Sequence, residues 1–168
     1  QAIRTAVLSG RFFAVTGGDG RGVIVEKLLD AVVDYLPTPL DRGSNWGTNP
    51  KTGDEIERKP DAGQPMAALA FKIATDPFVG KLAFFRVYSG KLTAGSYILN
   101  SSTGEKERVG RIVRMQADKR EDVDSVEAGD IAAIVGLKGT TTGNTLCDPN
   151  NPIVLESITF PEPPVSIA

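Results

Sequence analysis

The chain has 168 residues, room for one full domain with a fragment or for two small domains, and its 40% apolar and 24% charged content is that of a globular protein. A net charge of −2 excludes a global basic field, so any contact with RNA must come from a local patch. Histidine is absent and Cys147 is the single cysteine, which excludes Ser–His and Cys–His catalysis, an intrachain disulfide and the commonest zinc ligands.

In chain order, the first apolar run is Ala6-Val7-Leu8, read as the end of a short buried strand. QAIRTAVLSG has neither an initiator Met nor the apolar length of a signal peptide, so the chain is expected to be a piece of a longer protein. GGDGRG follows at 17–22, and a glycine-rich loop opening onto a helix is a common phosphate cradle. The stretch fails both phosphate patterns. It lacks the Lys-[Ser/Thr] of a phosphate loop, and Gly18 and Gly20 are followed by Val23 where the dinucleotide fingerprint needs a third glycine. The expectation is a loop leading into the helix, with Asp19 or Gly22 near its start, where free N–H groups tolerate glycine and favour an acid.

Behind the loop, Val25, Leu28, Leu29, Val32, Val33 and Leu36 recur at helical spacing and predict one helix over 23–36. Glu26, Lys27, Asp30 and Asp34 take its other face, and Pro37 and Pro39 stop it. One short strand cannot cover so long an apolar stripe, so part of its partner surface is expected outside the chain. Residues 41–65 are rich in Pro, Gly, Asp and Asn and read as an interdomain linker. The indole of Trp46 is expected to anchor that linker on a domain face, with base stacking as the alternative.

From Met66 the pattern becomes strand-like. Leu69, Phe71 and Ile73 alternate with Ala70 and Lys72, and AFFRVYSG, SYILN, RVGRIVRMQ, DIAAIVGL and IVLESITF follow between turn signals such as DPFVG, EAGD and DPNNP. Short strands at this spacing without a helical run predict a small antiparallel β-barrel over 66–160. The expected fold class is therefore mainly β, with one helix ahead of the barrel. No run of about 18 apolar residues occurs, so no transmembrane helix is expected.

Positive charge concentrates in one place. Lys106, Arg108, Arg111, Arg114, Lys119 and Arg120 interleave with Glu105, Glu107, Asp118, Glu121 and Asp122. The plain reading is a solvated face of mixed charge. The functional reading is a phosphate-contacting patch on one side of the barrel, which requires the acids to point elsewhere. Asp122, Asp124, Glu127 and Asp130 lack calcium-loop spacing and read as turn and strand-end residues. No catalytic, cofactor-binding or metal-ligating residue is assigned.

LLDAVVDYLPTPLD (28–41) resembles the last helix of the GTPase domain of bacterial elongation factor G, with its exit. FRVYSGKLTAGSYILN (85–100), RVGRIVRM (108–115), VEAGDIAAIVGLKGTTTGNTLCDPNNPIVLE (126–156) and FPEPPVSIA (160–168) resemble that factor's second domain and the start of its exit. The resemblance implies four parts: 1–40, the tail of the GTPase domain; 41–65, a linker; 66–160, the second-domain barrel; and 161–168, the exit toward the third domain. It implies a ribosome-binding barrel of a cytoplasmic factor that promotes GTP-dependent tRNA–mRNA translocation. Its implied partners are small-subunit rRNA and the GTPase and third domains of the same chain, with no membrane. The six basic residues named above become the candidate rRNA contact.

GTP and Mg2+ serve the intact family. The phosphate loop, the switch regions and the N-K-x-D motif have no counterpart here, so neither a cofactor nor GTPase activity is expected of this piece. The family's Gly-Ser-Ala segment, whose backbone helps bind guanine, is replaced by Ser9-Gly10-Arg11-Phe12, and no nucleotide contact is assigned to it. Ribosomal-protection tetracycline-resistance proteins and release factor three share the barrel and supply the alternative, an intramolecular scaffold in a related ribosomal GTPase. The series VYSG…AGD…GLK…TGNTL favours elongation factor G.

Overall fold

Residues 2–117 and 119–155 are described by a computed structural model, which divides into two units between Gly43 and Ser44. Asp118, the end of the expected strand IVLESITF and the expected exit 161–168 lie outside the described residues.

In the first unit, the run expected as a strand is a helix, α1 (Ala2–Leu8). No strand lies among the described residues of this unit, so these backbone groups close their hydrogen bonds locally. Gly10 ends the helix at φ 69°; its N–H bonds to Val7 O at 3.0 Å, and Arg11 N–H returns to Ala6 O at 3.1 Å. Helix α2 (Val23–Tyr35) is one residue shorter than expected. Gly22 is its N-cap, and Asp19 Oδ1 accepts the Arg21 N–H at 3.0 Å one turn earlier. Helix α3 (Pro39–Arg42) starts with a capping box: Thr38 Oγ1 accepts from Asp41 N–H at 3.3 Å, and Asp41 Oδ2 from Thr38 N–H at 2.7 Å. Arg4 ties α1 to this turn through Asp41 Oδ2 at 2.6 Å. Leu28, Leu29, Val32, Val33 and Leu36 of the α2 stripe are all exposed.

The second unit is β throughout. Its strands are β1 (Asn45–Thr48), β2 (Glu55–Arg58), β3 (Ala67–Asp76), β4 (Gly80–Ser89), β5 (Lys91–Thr93), β6 (Tyr97–Asn100), β7 (Glu105–Arg108), β8 (Arg111–Gln116), β9 (Lys119–Val123), β10 (Ser125–Glu127), β11 (Ile131–Val135), β12 (Thr145–Cys147) and β13 (Val154–Leu155). Eight of them form one antiparallel sheet in the order β7-β6-β12-β3-β4-β11-β8-β9, and β5 pairs with β10. Ile98 of β6 and Ile112 of β8 lie near opposite ends of that order yet share one buried cluster with Phe85, Val87 and Ile134, so the sheet curls around its core. The register slip at Ala70/Lys72, which leaves Phe71 as the extra residue, is a bulge of the kind that sharpens such curl.

The expected linker is structured in its middle. β1 and β2 make a hairpin, and β1 pairs with β13 through Gly47↔Leu155 and Thr48↔Val154. A side chain at Gly47 would meet Val154 O and Ile153, which lets the backbones close up. Ile56, not Trp46, supplies the apolar contact, packing with Ala67, Cys147, Ile153 and Leu155. Trp46 is 59% exposed.

Candidate nucleic-acid interface

The six basic side chains do not form one patch. Lys106 and Arg108 sit on β7 at one edge of the eight-stranded sheet, and Lys119 and Arg120 on β9 at the other edge, with Arg111 and Arg114 on β8 beside it. Side chains directly opposite across a strand pair share a face. Met115 faces Arg120 and Val113 faces Asp122, so Arg111 and Arg120 share the outer face of the sheet with these residues. Arg114 faces Glu121 and Gln116 faces Lys119, on the same face as the core residue Ile112. The acids do not all point elsewhere: Arg111 lies 4.0 Å from Asp122, Arg114 3.4 Å from Asp130 and Arg120 2.9 Å from Asp76. Among the described residues, Lys106, Arg108 and Lys119 make no ion pair.

Glu107 explains the split on β7. Its carboxylate accepts from Lys138 N–H at 2.6 Å, Gly139 N–H at 3.2 Å and the Thr140 hydroxyl at 2.7 Å. Lys81 Nζ holds the same loop from the other side through the carbonyls of Lys138 at 3.0 Å and Thr140 at 2.7 Å. Alternation along β7 places Lys106 and Arg108 on the opposite face from this clamp.

Three of the six cations do converge. Arg114, Lys119 and Arg120 line a cleft of about 460 Å³ at the β8–β9 hairpin, together with Met115, Gln116 and Glu121. Beside it stands the β3–β4 turn, where Asp76 Oδ1 accepts the N–H groups of Phe78 at 2.8 Å and Val79 at 3.0 Å. These bonds, reinforced by Arg120, hold the Asp76 carboxyl below its ordinary pKa. The Phe78 ring is 86% exposed and lies 5.9 Å from the Arg120 guanidinium. Sequence reasoning passed over Phe78 as part of a turn signal. Its position directly after Asp-Pro at a hairpin tip was the available cue, because a tip has no core to cover it.

The glycine loop at 17–22 does not have the form of a phosphate cradle. A side chain at Gly18 would run into Ile24, so the glycine loop packs on its own helix, and its cation, Arg21, is not the Lys of a phosphate loop. No group of three His, Cys, Asp or Glu able to hold a metal ion occurs among the described residues.

A family model described as elongation factor G domain 2 matches residues 65–149, just over half of the chain. A crystal structure of a protein from Thermus thermophilus matches 96% of the chain at 23% identity with a TM-score of 0.65. The chain spans 22% of the length of that protein, and the likeness is one of fold.

Proposed function

Because the chain belongs to the elongation factor G domain 2 family, we propose that it is a piece of a bacterial elongation factor G whose barrel contacts small-subunit rRNA. In this reading it acts in the cytoplasm, beside the GTPase and third domains of its own chain, in GTP-dependent tRNA–mRNA translocation. GTP and Mg2+ are handled by the GTPase domain. The observation that carries the reading is the cleft at the β8–β9 hairpin, which Arg114, Lys119 and Arg120 line with Glu121, while Asp130 and Asp76 pair with the two arginines from outside the lining. Such a site engages phosphates even though the chain is acidic overall.

The test is co-sedimentation of this chain with isolated small ribosomal subunits across a salt series. Wild-type chain is expected to bind weakly and with strong salt dependence. Arg114→Glu with Lys119→Glu should abolish binding at moderate salt, and the milder Ala pair should lower the salt slope by about two. Unchanged binding by both pairs removes the cleft from the interface. A second reading, an intramolecular scaffold in a related ribosomal GTPase, draws support from the outer face of the sheet. There Phe84, Met115 and Val135 are only half-buried over Leu82, Val113 and Ala133, which leaves partly open apolar surface for a protein neighbour. It predicts that both charge variants bind subunits as the wild type does.

A further inference from the structure

We propose that Phe78 is a base-stacking residue: an unpaired RNA base lies on its ring while the neighbouring phosphate enters the cleft between Arg120, Lys119 and Arg114. The inference rests on the RNA-contact reading above and names the kind of RNA, unpaired rather than duplex.

Four observations converge on it. Among the described residues of its unit, Phe78 is the most exposed large apolar residue, at 86%. It is nevertheless not loosely placed. Asp76 fixes the backbone of Phe78 and Val79, Gly80 closes the turn at φ 79°, and Val79 packs against the apolar layer of Leu82 and Val113. A turn whose backbone is fixed before binding loses little backbone freedom on contact. Arg120 links ring and cleft: its guanidinium, paired with Asp76, lies 5.9 Å from the ring centre, and the residue lines the 460 Å³ cavity. Lys119 lines the same cleft and makes no ion pair among the described residues.

An unpaired nucleotide offers the matching chemistry, a flat π-face next to a negative charge. Duplex RNA offers the charge but keeps its bases stacked. An apolar protein partner would cover the ring at the cost of desolvating the cations beside it.

The experiment uses this chain with two fluorescent RNAs, a stem capped by an unpaired loop and a fully paired blunt duplex of equal charge. A 2-aminopurine in the loop reports stacking by its quenching. Wild type is expected to favour the looped RNA and to quench the probe. Phe78→Ala should lose roughly tenfold in affinity for the looped RNA, lose the quenching and keep the salt slope, while Phe78→Tyr keeps all three. Because the ring is exposed, an unchanged thermal midpoint verifies that both variants fold. Equal affinity of Phe78→Ala and wild type, or an equal loss on loop and duplex, overturns stacking while leaving the RNA-contact reading in place. If Phe78→Ala loses small-subunit binding but binds both RNAs as wild type does, the ring serves a protein partner and stacking is overturned. A wild-type chain that binds neither RNA nor subunits overturns the proposed function together with this inference.

Discussion

Replacing Glu107 tests whether one carboxylate organises the loop at 138–144. In Glu107→Ala three donors lose their acceptor. The Lys138 N–H is on an exposed residue and rehydrates at little cost, the Gly139 N–H is half-buried, and the Thr140 hydroxyl belongs to a residue with no exposed surface. A buried donor left unsatisfied costs about 1–3 kcal/mol, so the sum is about 2–4 kcal/mol. That is a large share of the roughly 5–15 kcal/mol typical of a whole domain. Glu107→Gln keeps one acceptor oxygen for the threonine but sets its amide N–H2 against the Lys138 and Gly139 N–H groups, so it should lose less than Glu107→Ala, about 1–2 kcal/mol. Urea unfolding followed by far-ultraviolet circular dichroism gives these numbers. A double-mutant cycle sharpens them: in the Glu107→Ala background, Thr140→Val removes the stranded hydroxyl and should restore stability rather than lower it further. If Glu107→Ala unfolds within about 0.5 kcal/mol of wild type, the limit of a surface substitution, the clamp does not hold the loop.

Gly90 and Gly95 make a matched pair. Both have positive φ, but a Cβ at Gly90 would sit 2.6 Å from Gln64 O and from the Met66 backbone, while one at Gly95 meets nothing within 4 Å. Gly90→Ala should therefore cost about 2–4 kcal/mol and Gly95→Ala about 1–2 kcal/mol, and equal losses in urea titrations would refute the steric argument. Cys147 is fully buried, and burial pushes its thiol pKa up. A thiol reagent should modify the native chain only as fast as it opens, so immediate stoichiometric labelling at neutral pH contradicts that placement. The Asp76 pKa is depressed in the folded chain, so its contribution is complete above the ordinary carboxylate range and is lost as the pH falls through the lower folded value. The amide resonances of Phe78 and Val79 should shift in that acid step and be insensitive to it in Asp76→Asn; a transition at or above the ordinary carboxylate value speaks against the bonding at this turn.

Local pattern carried much of the architecture. The stripe from Val25 to Leu36 and the Pro37–Pro39 stop defined α2 to within one residue. Alternation in β3, and strand-like runs bounded by turn signals in β4, β8 and β11, defined the long strands and with them a small antiparallel β fold, because period and turn chemistry lie within a few neighbouring residues. Pairing partners far apart in the chain do not appear in such patterns. Ala6-Val7-Leu8 is too short to show a period, and with no strand beside it the backbone closed as a helix. The polar stretch after Arg42 read as linker because the strand that orders its first half, β13, lies near the far end of the described residues. The basic residues were legible as a group in sequence, but the sheet order sent Lys106 and Arg108 to one edge and Lys119 and Arg120 to the other. The same folding brought Phe78 beside Arg120 across two hairpins. Sequence alone determined the long helix and the long strands; tertiary structure decided the short elements and which side chains meet, because these depend on strand order and register, which non-local hydrogen bonds set.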